Sequence, residues 1–145
     1  MAKLLISRIH FQSEDFDFDF SFREGITVVT GDSATGKSLF YERFSLKVLV
    51  EKLDKYRFLN YQILLHANAH EIKQILSKPD KVYIIDNADL VLKGIEDINC
   101  FLAQSESQFV IFGRRVDWYN TTPQNCANVV ENNKRFKLQY LFEEW

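Results

Sequence analysis

The sequence predicts an α/β protein: a three-layer sandwich with a mainly parallel sheet of about five strands and an N-terminal antiparallel hairpin. Three observations predict it. From residue 26 onward, apolar runs of strand length alternate with segments of helical periodicity. A β-branched run, Ile26-Thr27-Val28-Val29-Thr30, leads through a glycine-bearing loop into a helical pattern over residues 39–53. Ahead of it, Asp15-Phe16-Asp17-Phe18-Asp19-Phe20-Ser21-Phe22 alternates strictly between polar and aromatic residues, the period of a half-buried strand.

Residues 4–11 read as the first strand, and 15–22 as its partner with four phenylalanines on one face. A slip of one residue would turn every ring into water, so the register is fixed. The acids of the opposite face read as solvated, with a metal ladder as the weaker alternative. Arg23-Glu24-Gly25 makes a turn into the strand at 26–30, and the helix at 39–53 buries Leu39, Phe40, Phe44, Val48, Leu49 and Leu53. Residues 61–66 read as a strand. Asn68 followed three residues later by Glu71 is a capping box, and Pro79 stops the helix it opens. His66 and His70 flank that junction as surface or capping groups. Residues 81–86 read as a central strand ending in Asp86, residues 90–103 as a helix with Gly94 as its weak point, and residues 108–113 as a further strand. Residues 116–130 show little periodicity and read as a loop or short lid, and 135–142 as the last strand. Trp118 and Tyr119 either anchor that loop or stack on a base.

Size and composition narrow the function. The 145 residues make a single domain, 1–145, with 46% apolar and 26% charged residues, the balance of a folded globular chain. A net charge of −2 argues against a general nucleic-acid coat and leaves nucleic acid only a local patch. Cys100 and Cys126 are isolated and read as two reduced, buried thiols. No apolar run approaches the roughly 20 residues of a membrane span, and the first residues lack a signal core, so a cytoplasmic protein is expected. Asn120-Thr121-Thr122 fits the glycosylation pattern but means nothing in that compartment.

The stretch with the most chemistry is Gly31-Asp32-Ser33-Ala34-Thr35-Gly36-Lys37-Ser38, a complete G-x-x-x-x-G-K-[ST] pattern with a strand before it and a helix from Leu39 after it. Its glycines let main-chain N–H groups turn inward and cradle phosphate oxygens at a helix N-terminus. Here the sequence resembles the P-loop NTPases. The resemblance implies that residues Gly31 to Leu39 bind nucleotide, that Lys37 reaches the β- and γ-phosphates, and that the Ser38 hydroxyl coordinates Mg²⁺. Lys81-Val82-Tyr83-Ile84-Ile85-Asp86 resembles the Walker B element, which makes Asp86 a second Mg²⁺ group.

The antiparallel pair before the loop is similar to the opening of ATP-binding cassette and chromosome-maintenance ATPases. The additional-strand type implies a parallel order of last strand, Walker A strand, Phe109 strand, Walker B strand and Ile63 strand. Two departures matter. The Leu-Ser-Gly-Gly-Gln signature is absent, and the residue after Asp86 is Asn87 where those groups usually carry glutamate. An amide can hold a water but cannot take its proton. Asp89 is either a displaced base or the N-cap of the next helix, and Arg114 is either a γ-phosphate sensor or finger or a solvated arginine.

The expected activity is Mg²⁺-dependent ATP binding, with ATP hydrolysis by a minimal P-loop ATPase coupled to a protein partner or to self-assembly. A slow or non-hydrolysing ATP-binding switch is the alternative, and a small-molecule kinase the least favoured. The absence of an Asn-Lys-x-Asp motif favours ATP over GTP.

Overall fold

The computed structural model describes residues 4–30, 36–62, 64, 66–92, 94–113 and 123–141. The chain opens with a hairpin, β1 (Arg8–Ser13) and β2 (Phe16–Ser21), and continues through β3 (Thr27–Thr30) into α1 (Lys37–Glu51). Then follow β4 (Tyr56–Leu59), α2 (Ala69–Ile75), β5 (Val82–Ile85), α3 (Ala88–Val91), α4 (Ile98–Ala103) and β6 (Gln108–Phe112). A short 3₁₀ turn at Pro123–Asn125 precedes β7 (Cys126–Asn132) and β8 (Arg135–Tyr140).

All of these strands join one sheet in the order β1-β2-β8-β7-β3-β6-β5-β4. Pairing is parallel from β7 through β3, β6 and β5 to β4, and also between β2 and β8; β1–β2 and β7–β8 are antiparallel. The expected three-layer sandwich with a mainly parallel sheet of five strands is therefore overturned. Among the described residues the architecture is a mixed, strongly curled half-barrel of eight strands, with 28% helix in four helices.

The reason lies in the phenylalanine hairpin. It is no appendage at an edge, because β2 pairs with β8 and extends the same sheet. Its aromatic face then wraps around α1, with Phe20 stacked on Phe40 at 4.3 Å, Phe18 stacked on Phe136 at 5.0 Å, and Phe11 5.3 Å from Phe44. Such ring pairs add to plain burial and hold the sheet curled around the helix. On the other face, α2, α3 and α4 have seven, four and six residues. Helices that short cap a sheet face without making a continuous layer. Two cores result, one around Phe18, Phe40 and Phe112 and the other around Tyr83, Leu92 and Phe109.

Several elements sit elsewhere than the sequence suggests. The strand expected at 61–66 is instead β4, whose Leu59 carbonyl accepts from Asp86 N at 2.8 Å; Leu64 N bonds back to Asn60 O in the turn that follows. The helix expected over 90–103 is divided into α3 and α4, with Gly94 between them and Asp97 at φ 60. The stretch 116–130, read as a loop, includes most of β7, which takes the place beside β3 expected for the last strand. β8 returns from β7 through Asn133 and Lys134, both at positive φ (53 and 63), the geometry of a two-residue hairpin turn. The Asn68–Glu71 capping box is present, with Glu71 N donating to Asn68 Oδ1 at 2.9 Å. Cys126 is half-buried as a small core residue can be, but Cys100 is exposed rather than buried. Among the described residues no helix is long and apolar enough to cross a membrane.

The acids of the hairpin face cations on both sides. Asp17 and Asp19 lie in register with Gln12 and His10 on one side, and with Arg135 and Lys137 on the other. Arg8 grips Asp19 through two hydrogen bonds of 2.6 and 2.7 Å, which holds that carboxyl below its usual range. An ion-pair ladder therefore stands where a metal ladder had been the alternative.

Candidate functional site

Parallel strands deliver their carboxyl ends to one side of a sheet, the side where open α/β sheets hold ligands. Here β3 ends at Thr30 and β5 at Ile85, so the carboxyl end of β3 and Asp86 lie on the same side. α1 starts at Lys37 directly behind Gly36, a 15-residue helix whose first-turn N–H groups face that side.

Gly36 is held there for two separate reasons. Its φ of 96 lies in the left-handed region, and a Cβ would come within 2.6 Å of the Phe136 ring. β8 thus packs directly on the end of the loop. Lys37 is only 5% exposed. An ammonium this far out of water needs a counter-charge, and its charge acts on Asp86, favouring the ionised carboxylate.

Asp86 itself sits half-buried at the tip of β5. Burial raises its pKa most; the Asn87 N–H bond and the Lys37 charge oppose this, and the Asp89 charge adds to it. The carboxyl group is thus a partly desolvated oxygen donor under the influence of one cation, a donor suited to a hard ion. Magnesium takes one or two protein carboxylates and completes its shell with water and phosphate oxygens. The residues present are compatible with that arrangement: Asp86, with Ser38 in the first turn of α1, would be the groups to hold the ion. Among the described residues no three His, Cys, Asp or Glu side chains gather at one point.

Three neighbours had no part in the sequence reading. Tyr41 lies one helical turn after Lys37 on α1, and its hydroxyl is hydrogen-bonded with Asn60. Asn60 directly follows Leu59, which is in register with Ile85, so Asn60 and Asp86 are side by side beyond the strand tips. Burial, then the negative charge of Asp86, push the Tyr41 phenol up to about 12. The third neighbour is Asn128 on β7, whose Oδ1 accepts from Thr30 Oγ1 at 3.0 Å at the mouth of the loop. Spacing alone could have suggested Tyr41, four residues after Lys37. Asn60 and Asn128 required β4 and β7.

The structure brings together Lys37, Asp86 and Asp89, with Ser38 exposed and Leu39 half-buried in the first turn of α1. Asp89 is in the first turn of α3, not at its cap; the cap is Asn87, at φ 51 and without a side-chain bond. Gly31, Asp32, Ser33, Ala34, Thr35, Arg114, Trp118 and Tyr119 lie outside the described residues. No protein-family model matches the chain, and no curated protein matches it.

Proposed function

We propose that the chain binds magnesium ATP at the carboxyl ends of β3 and β5 and hydrolyses it, passing the resulting change to a protein partner or to another copy of itself. The single observation that carries the reading is Lys37, buried behind a complete phosphate-loop sequence and acting electrostatically on Asp86 from the neighbouring part of the sheet. A buried lysine at a helix start behind a glycine cradle is what triphosphate recognition requires.

In this reading the N–H groups of residues 31–38 and the Lys37 ammonium bind the β- and γ-phosphates. Ser38 and Asp86 would hold Mg²⁺, which when bound would supply positive charge to offset that of the phosphates. Coordination there would offset the burial that raises the pKa of Asp86. Asp89, a half-buried carboxylate whose charge reaches Asp86, holds the attacking water and accepts its proton. The Tyr41–Asn60 pair fixes the flank of Asp86.

One observation favours a second reading, a nucleotide-binding switch with little turnover. The residue that follows Asp86 is Asn87, exposed and in a left-handed cap, and its amide cannot act as a base.

Phosphate release measured with the protein alone separates the two. The hydrolase reading expects release that Asp89→Asn abolishes while ATP affinity stays within about twofold of wild type. Release unchanged in Asp89→Asn removes Asp89 from the mechanism. Negligible wild-type release with tight ATP binding establishes the switch, and Asn87→Glu is then the variant expected to gain turnover.

A further inference from the structure

The phosphate-loop pattern is bracketed by Thr30 and Gly36, and one hairpin touches both. β7 runs parallel to β3, with Val28, Val29 and Thr30 in register with Cys126, Ala127 and Asn128. Asn128 is thus the last residue of β7 paired with β3 before the loop begins. Its side chain adds a second tie, because Thr30 Oγ1 donates to Asn128 Oδ1 at 3.0 Å. The next residue, Val129, turns to the opposite face of the sheet and packs on the side of α1.

Gly36 stands at the other end of the loop. A Cβ there would lie 2.6 Å from the Phe136 ring and 3.5 Å from Val129 Cγ1, so the Gly36 backbone rests on β8 and β7 together. Lys37 follows directly and opens α1. Two consecutive residues of one strand, Asn128 and Val129, therefore meet residues 30 and 36, and Phe136 completes the hold from β8. The hairpin is itself fixed. Phe136 stacks on Phe18 at 5.0 Å, and Phe18 meets Phe40 of α1 at 5.8 Å. Asp17 N donates to Lys134 O at 3.0 Å, and Lys134 Nζ lies 3.3 Å from Asp15 Oδ2.

From the contacts at these two ends together we infer that the β7–β8 hairpin is a clamp that sets the separation between Thr30 and Gly36, with Thr30, Asn128 and Phe136 as positioning residues for the phosphate-binding groups of Gly36, Lys37 and Ser38. The inference rests on the nucleotide reading and adds to it the element that holds the site in shape. Main-chain N–H donors bind an anion well when they are already aimed at it; donors that must first be ordered give up part of the binding energy. A hairpin that grips both ends of the loop removes that cost before the ligand arrives.

Calorimetry with magnesium ATP and with magnesium tripolyphosphate tests it, beside urea unfolding of each variant. Thr30→Val and Asn128→Leu remove the same side-chain bond, and each is expected to weaken both ligands by about fivefold. The double variant Thr30→Val/Asn128→Leu is expected to bind no more weakly than either single one, because the bond can be lost only once. Thr30→Ser keeps the hydroxyl and is expected to bind as wild type does. Phe136→Leu loosens the hold on Gly36 and is expected to weaken both ligands by about tenfold. The losses are expected to be equal for the two ligands, since the clamp acts on groups that meet phosphate.

A role confined to holding the fold would lower the stability of these variants and leave both affinities within about twofold of wild type, which overturns the inference. So does a Thr30→Ser that binds as weakly as Thr30→Val, a double variant whose losses add, or a loss seen with ATP and not with tripolyphosphate. Affinity lost in only one of Thr30→Val and Phe136→Leu overturns it too, because a clamp needs both ends. A wild type that binds neither ligand removes the nucleotide reading and the clamp with it. A wild type that binds both, beside Thr30→Val and Phe136→Leu that bind equally well, removes the clamp alone.

Discussion

At the amino ends of β5 and β6, polar side chains close the structure upon itself, whereas at the carboxyl ends of β3 and β5 charges are withdrawn from water. Buried Gln108 accepts from Leu5 N and Ile6 N at 2.7 and 2.8 Å and donates to Ile6 O at 3.0 Å, which fastens the first residues of the chain to the sheet. Buried Ser107 accepts from Lys81 N at 3.0 Å and donates to Lys78 O at 2.6 Å. The Tyr83 hydroxyl donates to Ile75 O at 2.8 Å. These are neutral groups with neutral partners, the arrangement that stabilises a fold. At the opposite end Lys37 is buried, Asp86 is desolvated, and the Tyr41 phenol is raised by both burial and that carboxylate. Desolvation of that kind is what a ligand relieves, and it is the ground on which the nucleotide site is proposed at the carboxyl ends.

The comparison can be broken by substitutions at each end and in the core that joins them. The largest effect belongs to the core: Phe40→Ala, at a ring in contact with Phe11, Phe18, Phe20 and Phe112, is expected to cost about 4 kcal/mol of stability in urea unfolding. Next is Lys37→Ala, expected to weaken ATP binding by about 100-fold in calorimetry. Gln108→Leu removes the acceptor of two half-buried N–H groups and is expected to destabilise the fold by about 1–3 kcal/mol, with ATP affinity unchanged. If Gln108→Leu altered affinity as much as stability, the two ends would not be separate in role.

Asp86→Asn is expected to separate stability from binding in opposite directions. The folded pKa of Asp86 is raised, so the folded state holds this proton more tightly than the unfolded chain. Stability from this group therefore falls as pH rises from the unfolded value of 3.8 through the raised folded value, and the penalty is complete above it. The amide variant should lose that segment of the pH–stability curve and unfold at a higher temperature at neutral pH. Its ATP affinity should also no longer respond to Mg²⁺. The smallest effect is Tyr41→Phe, which keeps the ring against Phe58 and removes only the hydroxyl; a loss of about threefold in Mg²⁺-dependent ATP affinity is expected.

What could be read from the sequence followed from patterns that are local. The alternation of residues 15–22 placed Phe18 and Phe20 in the core, and the Asn68–Glu71 pair marked a helix start. The strands ending at Thr30 and Ile85 were evident from β-branched, apolar runs. What escaped depends on pairings between distant segments. Only Ala127 and Val129 of β7 are buried, too few inward residues to distinguish a strand from an Asn-rich loop. β4 begins with three half-buried residues, so its pattern carries no alternation. The curl of the sheet arises because β8 pairs with β2 more than a hundred residues away in sequence, and no local window contains both. For the proposed site, motif and strand end single out Lys37, Ser38 and Asp86 in the sequence, whereas Asn60 and Asn128 became visible only with β4 and β7 in place.

The central claim is that buried Lys37 gives the carboxyl end of this sheet its affinity for a triphosphate. Calorimetric titration of magnesium ATP into wild type and Lys37→Ala, side by side, tests it most directly. The account expects saturable binding by wild type and at least about a tenfold loss in the variant while its fold is retained. No binding by wild type, or equal affinity in the two proteins, would contradict it.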